Sequence, residues 1–86
     1  MPKIVVHRRA ARYIEGMDAR IKAQLKAKLE ALARSPDKMP GIKPMAGEWA
    51  GFFRIRHGDL RIIFLFDRAN DTIVIAHVGP RGDVYK

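Results

Sequence analysis

With 86 residues the chain has room for one domain, residues 1–86, small in core yet long enough to fold without staples. It has no cysteine, which excludes a disulfide scaffold and a thiolate zinc site; His7, His57 and His77 lack the spacing of a metal motif, so neither metal nor cofactor is expected. Lys and Arg outnumber Asp and Glu by 17 to 9, for a net charge of +8 and a pI near 10.5, and polyanions are the natural partners of such a surface. Residues 1–47 hold eleven Lys or Arg against four acids, and residues 48–86 six against five. The bulk charge therefore lies on the first half. The longest apolar run, Ile62 to Phe66, is too short to span a bilayer, and the first residues lack the apolar stretch of a signal peptide, so a cytoplasmic location is expected.

Lys3 to His7 is a β-branched run and reads as a first strand. Ala10, Ile14 and Met17 fall at helical spacing, which predicts a short helix over Arg8 to Glu15, ended or bent by Gly16. Asp18 is a suitable N-cap for a second helix, with Ile21, Leu25, Leu29 and Leu32 as its apolar stripe and Arg20, Lys22, Lys26 and Lys28 mostly outside it. Ser35-Pro36 closes that helix. From Asp37 to Gly47 the sequence is rich in Pro, Gly and Met, which suits a connecting loop without an element of its own. Three strands follow, Phe52 to His57, Leu60 to Phe66 and Thr72 to Gly79. Trp49 reads as a core anchor at the start of a strand, and Tyr13 as helix packing.

Gly58-Asp59 is a two-residue loop with glycine first, which favours a type II′ hairpin turn. That turn pairs His57 with Leu60, Arg56 with Arg61, Ile55 with Ile62 and Arg54 with Ile63. Side chains alternate faces along a strand, so Arg54, Arg56 and Arg61 share one face while Phe53, Ile55, Ile62 and Phe64 share the face that the helices cover. Like charges directly opposite, as in Arg56 and Arg61, cost a sheet roughly 0.2–1 kcal/mol unless an anion or acid joins them. The Asp67–Asp71 turn leaves the next register open. Pairing Phe66 with Thr72 sends Val74, Ala76 and Val78 to the core and His77 to the arginine face; a one-residue slip reverses this. The first register is preferred here. The expected fold class is α+β, an N-terminal strand and two helices packed on one face of a mainly antiparallel four-stranded sheet.

The segment Gly51-Phe52-Phe53-Arg54-Ile55-Arg56-His57-Gly58-Asp59-Leu60-Arg61-Ile62-Ile63-Phe64, followed by Val78-Gly79-Pro80-Arg81-Gly82-Asp83-Val84-Tyr85, resembles the RelE/ParE superfamily of toxin–antitoxin toxins, its RelE branch most of all. Chain length and element order agree, while the helical half matches only in kind. The resemblance implies a ribosome-dependent endoribonuclease that cuts messenger RNA in the ribosomal A site without a metal, with ribosome, message and a cognate antitoxin as partners and no small-molecule cofactor. Carried over by position, Arg54 and Arg56 match the first basic positions of the active site, Arg61 the next arginine, Arg81 the arginine of the tail and Tyr85 the tyrosine after it. Some relatives have lysine where Arg54 and Arg56 stand. Lysine can give up a proton when buried and arginine cannot, so these two positions can hold phosphate and stabilise charge but cannot act as the base.

Metal-free cleavage of RNA uses the 2′-hydroxyl as nucleophile on the adjacent phosphorus, and needs a proton acceptor, stabilisation of a dianionic transition state and help for the departing 5′-oxygen. Fixed donors where charge develops are typically worth about 10²–10³ in rate each. Arg61 and Arg81 are assigned to that work, with Arg54, Arg56 and His77 holding RNA. Tyr85 is the acceptor that the resemblance supports, provided neighbouring guanidinium groups lower its ordinary pKa of about 10, and it also suits stacking on a splayed base. His77 and Glu48 are weaker candidates for the base, Glu48 reading better as a solvated loop acid. Lys22 and Lys26 form a solvated face, with nonspecific contact to ribosomal RNA as an alternative. Arginine on surface strands also serves solubility, and two other functions fit the same residues: a ParE-like poison of DNA gyrase without nuclease chemistry, and a non-catalytic nucleic-acid-binding module. Phe52, Ile63 and Leu65 on the outer sheet face are the expected docking points for an antitoxin.

Overall fold

A computed structural model describes residues 3–35 and 41–80 of the chain. Strand β1 (Lys3–Val6) leads into α1 (Arg8–Glu15) and α2 (Ala19–Arg34), followed by β2 (Lys43–Pro44), a 3₁₀ turn (Gly47–Trp49), β3 (Phe53–His57), β4 (Leu60–Asp67) and β5 (Thr72–Pro80). His7 leaves the first strand to become the N-cap of α1, its Nδ1 accepting from the Arg9 backbone N–H at 3.3 Å. Gly16 does end α1, but in the right-handed region, with its N–H on the Arg12 carbonyl, so no left-handed cap is involved. Asp18 stands at the N-cap of α2 without a side-chain bond to the helix. Ser35 caps the other end of α2, its N–H donating to the Ala31 carbonyl.

The sheet has five strands in the order β1-β5-β4-β3-β2, one more than expected. β1 runs parallel to β5, and the other pairs are antiparallel. The additional strand is β2, within the segment read as a plain loop. Two residues, one of them a proline, carry no alternation to read, and a proline is tolerated there because β2 is an edge. The 3₁₀ turn also corrects the reading of Trp49, which sits half-buried in that turn with its ring edge-on to Phe52 at 5.2 Å, outside the buried core.

One face of the sheet is covered by the helices. Leu25, Leu29, Leu32 and Ala33 of α2 and Ala10 of α1 pack on Ile55, Ile62, Phe64, Ile73, Ile75 and Val78. Phe53, Phe64 and Phe66 extend this layer, with ring centroids 5.4–6.0 Å apart. Each fully buried large side chain of this kind contributes roughly 1.5–3 kcal/mol. Ile21, expected in the stripe, is 42% exposed and borders a groove with Tyr13, Met17 and the Gly58–Asp59 turn.

The β3–β4 hairpin has the expected pairing from His57–Leu60 to Phe53–Phe64. Gly58 takes a φ of +60° while Asp59 stays negative, as a type II′ turn requires. The β4–β5 register is a correction. Phe66 pairs with Ile73 rather than Thr72, so Ile73 and Ile75 face the core and Val74 faces out, the reverse of the expectation for Val74. The turn sets this register: Asp67 accepts from the Asn70 backbone at 3.3 Å and from its amide Nδ2 at 2.8 Å, and Asp71 adopts a φ of +48°. Between Ile63 and Phe64 the pairing then skips Ala76, a bulge that shifts the alternation by one. Beyond it Val78 faces the core and His77 faces out, both as expected. Ala76 therefore belongs to neither face's regular row.

Candidate phosphate-binding cleft

The face away from the helices carries the arginines. Arg56 and Arg61 are directly opposite across β3 and β4, and Arg54 lies two residues along β3, opposite Ile63. On its other flank Arg54 is paired with Lys43 of β2, a residue to which sequence reasoning gave no role. These residues, with Gly41 and Ile55, line a cavity of about 260 Å³. Arg61 is only 6% exposed, Arg54 is half-buried and Arg56 is open to solvent. The cleft thus grades from a sunken guanidinium at Arg61 to an open one at Arg56. An Arg held by packing loses little freedom when it binds an oxyanion, and its planar fork matches two phosphate oxygens.

Ile63 lies in the same row but is fully buried, and it is absent from the cluster under the helices. This corrects its assignment as an exposed docking point: alternation gave its face but not its exposure. Phe52 and Leu65 remain partly exposed.

His77 pairs with Ile63, and Gly79 pairs with Arg61, which puts the imidazole diagonally beside Arg61 on one face. A Cβ at Gly79 would lie 2.8 Å from His77 Nε2. The ring therefore rests over bare glycine backbone. Its Nε2 is buried and makes no hydrogen bond among the described residues. The other histidines are elsewhere: His7 caps α1, and His57 faces the helices, where burial first and the Lys28 ammonium second lower its pKa from the usual 6.5. Arg81 and Tyr85 lie outside the described residues. Pro80, the last residue of β5, is opposite Leu60, the neighbour of Arg61.

The described residues thus form two helices packed on one side of a mixed five-stranded sheet, with a cationic cleft on the other. A family model for the ParE toxin of type II toxin–antitoxin systems matches residues 4–85, and the chain belongs to that family. Toxin RelG of Mycobacterium tuberculosis is 36% identical over 55 residues, which is 64% of this chain and 61% of the length of that relative. A chain in the crystal structure of the toxin–antitoxin complex RelBE2 from the same organism superposes with a TM-score of 0.79 at 29% identity, covering 94% of this chain and all of that one. The isolated RelE toxin of E. coli shares the fold, with a TM-score of 0.77 at 19% identity over 99% of this chain and 92% of its own.

Proposed function

We propose that this toxin is a ribosome-dependent endoribonuclease that cleaves messenger RNA by attack of a 2′-hydroxyl on the adjacent phosphate, and so inhibits translation. The observation that carries the reading is the Arg56–Arg61 pair in a cleft on a rigid sheet, Arg61 sunken and Arg56 open, with Arg54 beside it. Paired guanidinium groups held by strands suit the dianionic phosphorane, where charge on the non-bridging oxygens exceeds that of the ground state. Arg54 and Arg56 hold the backbone, Arg61 stabilises the transition state, and His77 contributes a nitrogen at the edge of the site. In this reading Arg81 assists the leaving 5′-oxygen and Tyr85 accepts the 2′-hydroxyl proton. Membership of a toxin–antitoxin family and the relation to a chain solved within such a complex support a cognate antitoxin as partner. Val5, Val74 and Leu65 form a paired row on the outer face, Val5 being 49% exposed, and together with Phe52 they suit the apolar side of an inhibitory segment.

The test is translation of a defined message on purified ribosomes, with 5′ ends mapped, using the wild type, Arg81→Ala and Tyr85→Phe. Cleavage by the wild type that falls sharply in both variants is expected. Full-length message at excess protein would sink the nuclease reading, and cleavage undiminished in both variants would remove those two residues from the site. The match to the ParE family favours one alternative, a gyrase poison without nuclease chemistry. Loss of gyrase supercoiling with messages left intact would establish it. Tight, salt-sensitive RNA binding with neither activity would mark a non-catalytic binding module.

A further inference from the structure

We infer that Lys43 extends the cleft into a site for two consecutive phosphates of single-stranded RNA, with Lys43 and Arg54 at one and Arg56 and Arg61 at the other. The nature of the ligand rests on the nuclease reading above; the two-rung arrangement rests on the register. Lys43 pairs with Arg54 across β2 and β3, and Arg61 pairs with Arg56 across β4 and β3. Arg54 and Arg56 are alternate residues of one strand, about 6.6–6.8 Å apart on one face. The second cation of each rung comes from opposite flanks of β3. With neighbouring strands about 4.8 Å apart, the midpoints of the two rungs are then roughly 8 Å from each other. That separation suits the phosphate repeat of an extended strand better than the oxygens of one phosphate. The remaining corners carry no charge: Ile63 stands beside Arg54 on β4, and Gly41, beyond Lys43 in the cleft lining, has no side chain.

Lys43 is also held in place. β2 is fixed to β3 at Lys43 and Pro44, and the Met45 N–H donates to the Phe52 carbonyl at 2.9 Å. Pro44 offers no N–H to a further strand, so this edge stays open to a ligand rather than to another sheet. Lys43 itself is exposed, and its ammonium is a point charge on a flexible stem. It suits the outer phosphate, where position matters less than charge, while the sunken Arg61 suits the phosphate at which the reaction occurs.

The probes are 2′-O-methyl oligonucleotides, which bind but cannot be cut, titrated over a range of salt by fluorescence anisotropy. With three or more nucleotides, Lys43→Gln should weaken binding by roughly eightfold at 50 mM salt and reduce the log–log salt slope by about 0.7, the value of one phosphate contact on a single strand. Lys43→Arg should restore both. With a dinucleotide, which has one internal phosphate, Lys43→Gln should change affinity by less than twofold. Equal loss at both lengths, no loss at either, or failure of Lys43→Arg to rescue would overturn the two-phosphate site. Absence of oligonucleotide binding by a wild type that still cuts messages on ribosomes would overturn it as well, and would leave the nuclease reading standing.

Discussion

At the scale of single residues, the cleft gathers guanidinium groups of different exposure, from the buried Arg61 to the open Arg56. Arg56 is exposed and directly opposite Arg61, so Arg56→Ala removes a like-charge pair and should leave the melting temperature equal to that of the wild type or a few degrees higher, while weakening the hold on the message and so lowering cleavage on ribosomes at limiting protein. Gly79 works through its missing side chain. In Gly79→Ala the new Cβ meets the tip of a rotatable imidazole, so the fold should persist while the ring swings aside. The imidazole resonances of His77 would then shift in NMR spectra and those of the Val78 methyls stay in place. His57 provides a pH dependence on the other face. Its folded-state pKa lies below the unfolded value near 6.5, so the unfolded chain binds the proton more readily; this contribution to stability is complete above that pH and is lost as pH falls through the folded pKa. Melting temperatures of the wild type should therefore drop more steeply below pH 6.5 than those of His57→Gln. Lys28→Gln, which removes the lesser cause of the shift, should soften the drop.

At the scale of elements, legibility followed from whether a local signal left one solution. Gly58-Asp59 admits one hairpin register, and every pair from His57–Leu60 to Arg54–Ile63 could be read from it. The β4–β5 turn admits two. The chain uses one register for Ile73 and Ile75 and the other for His77 and Val78, switching at Ala76, so neither uniform reading of the strand was correct. Deleting Ala76 would remove the bulge and make the ladder uniform, leaving Val78 opposite Ile62 on the core face and His77 opposite Ile63 on the outer face. The expected outcome is a domain that still unfolds cooperatively, seen as a sharp thermal transition, whereas deleting Ile75 would break the core pairing and broaden it. β2 escaped sequence reading altogether, and Lys43 with it, since two residues have no period and their strand exists only through pairing with β3. Ile63 shows the other limit: alternation states which way a side chain points, not what lies over it. Phe64 was legible on both counts, at the centre of the aromatic layer and fully buried. Phe64→Ala should destabilise the domain by about 3–5 kcal/mol in denaturant titrations.

At the scale of the molecule, the two faces of one sheet divide the work. The inner face carries the core under α1 and α2, and the outer face runs from an apolar row at Val5, Val74 and Leu65 to the cations of β4, β3 and β2. The family and the architecture were legible because the hairpin motif and the helical stripes lie in continuous sequence; the full site was not, because it is assembled across strands. The strand order also has a consequence in time. β5, the last described strand to be synthesised, lies between β1, the first, and β4, and supplies Ile73, Ile75 and Val78 to the core. Until residues 72–80 have left the exit tunnel, β1 has no neighbour and the sheet is incomplete. Pairing so distant in sequence is slow to form and must await its final partner. A cell making this protein therefore has an interval in every round of synthesis when the nascent toxin cannot yet be a toxin, and an inhibitor present during that interval meets it as it folds.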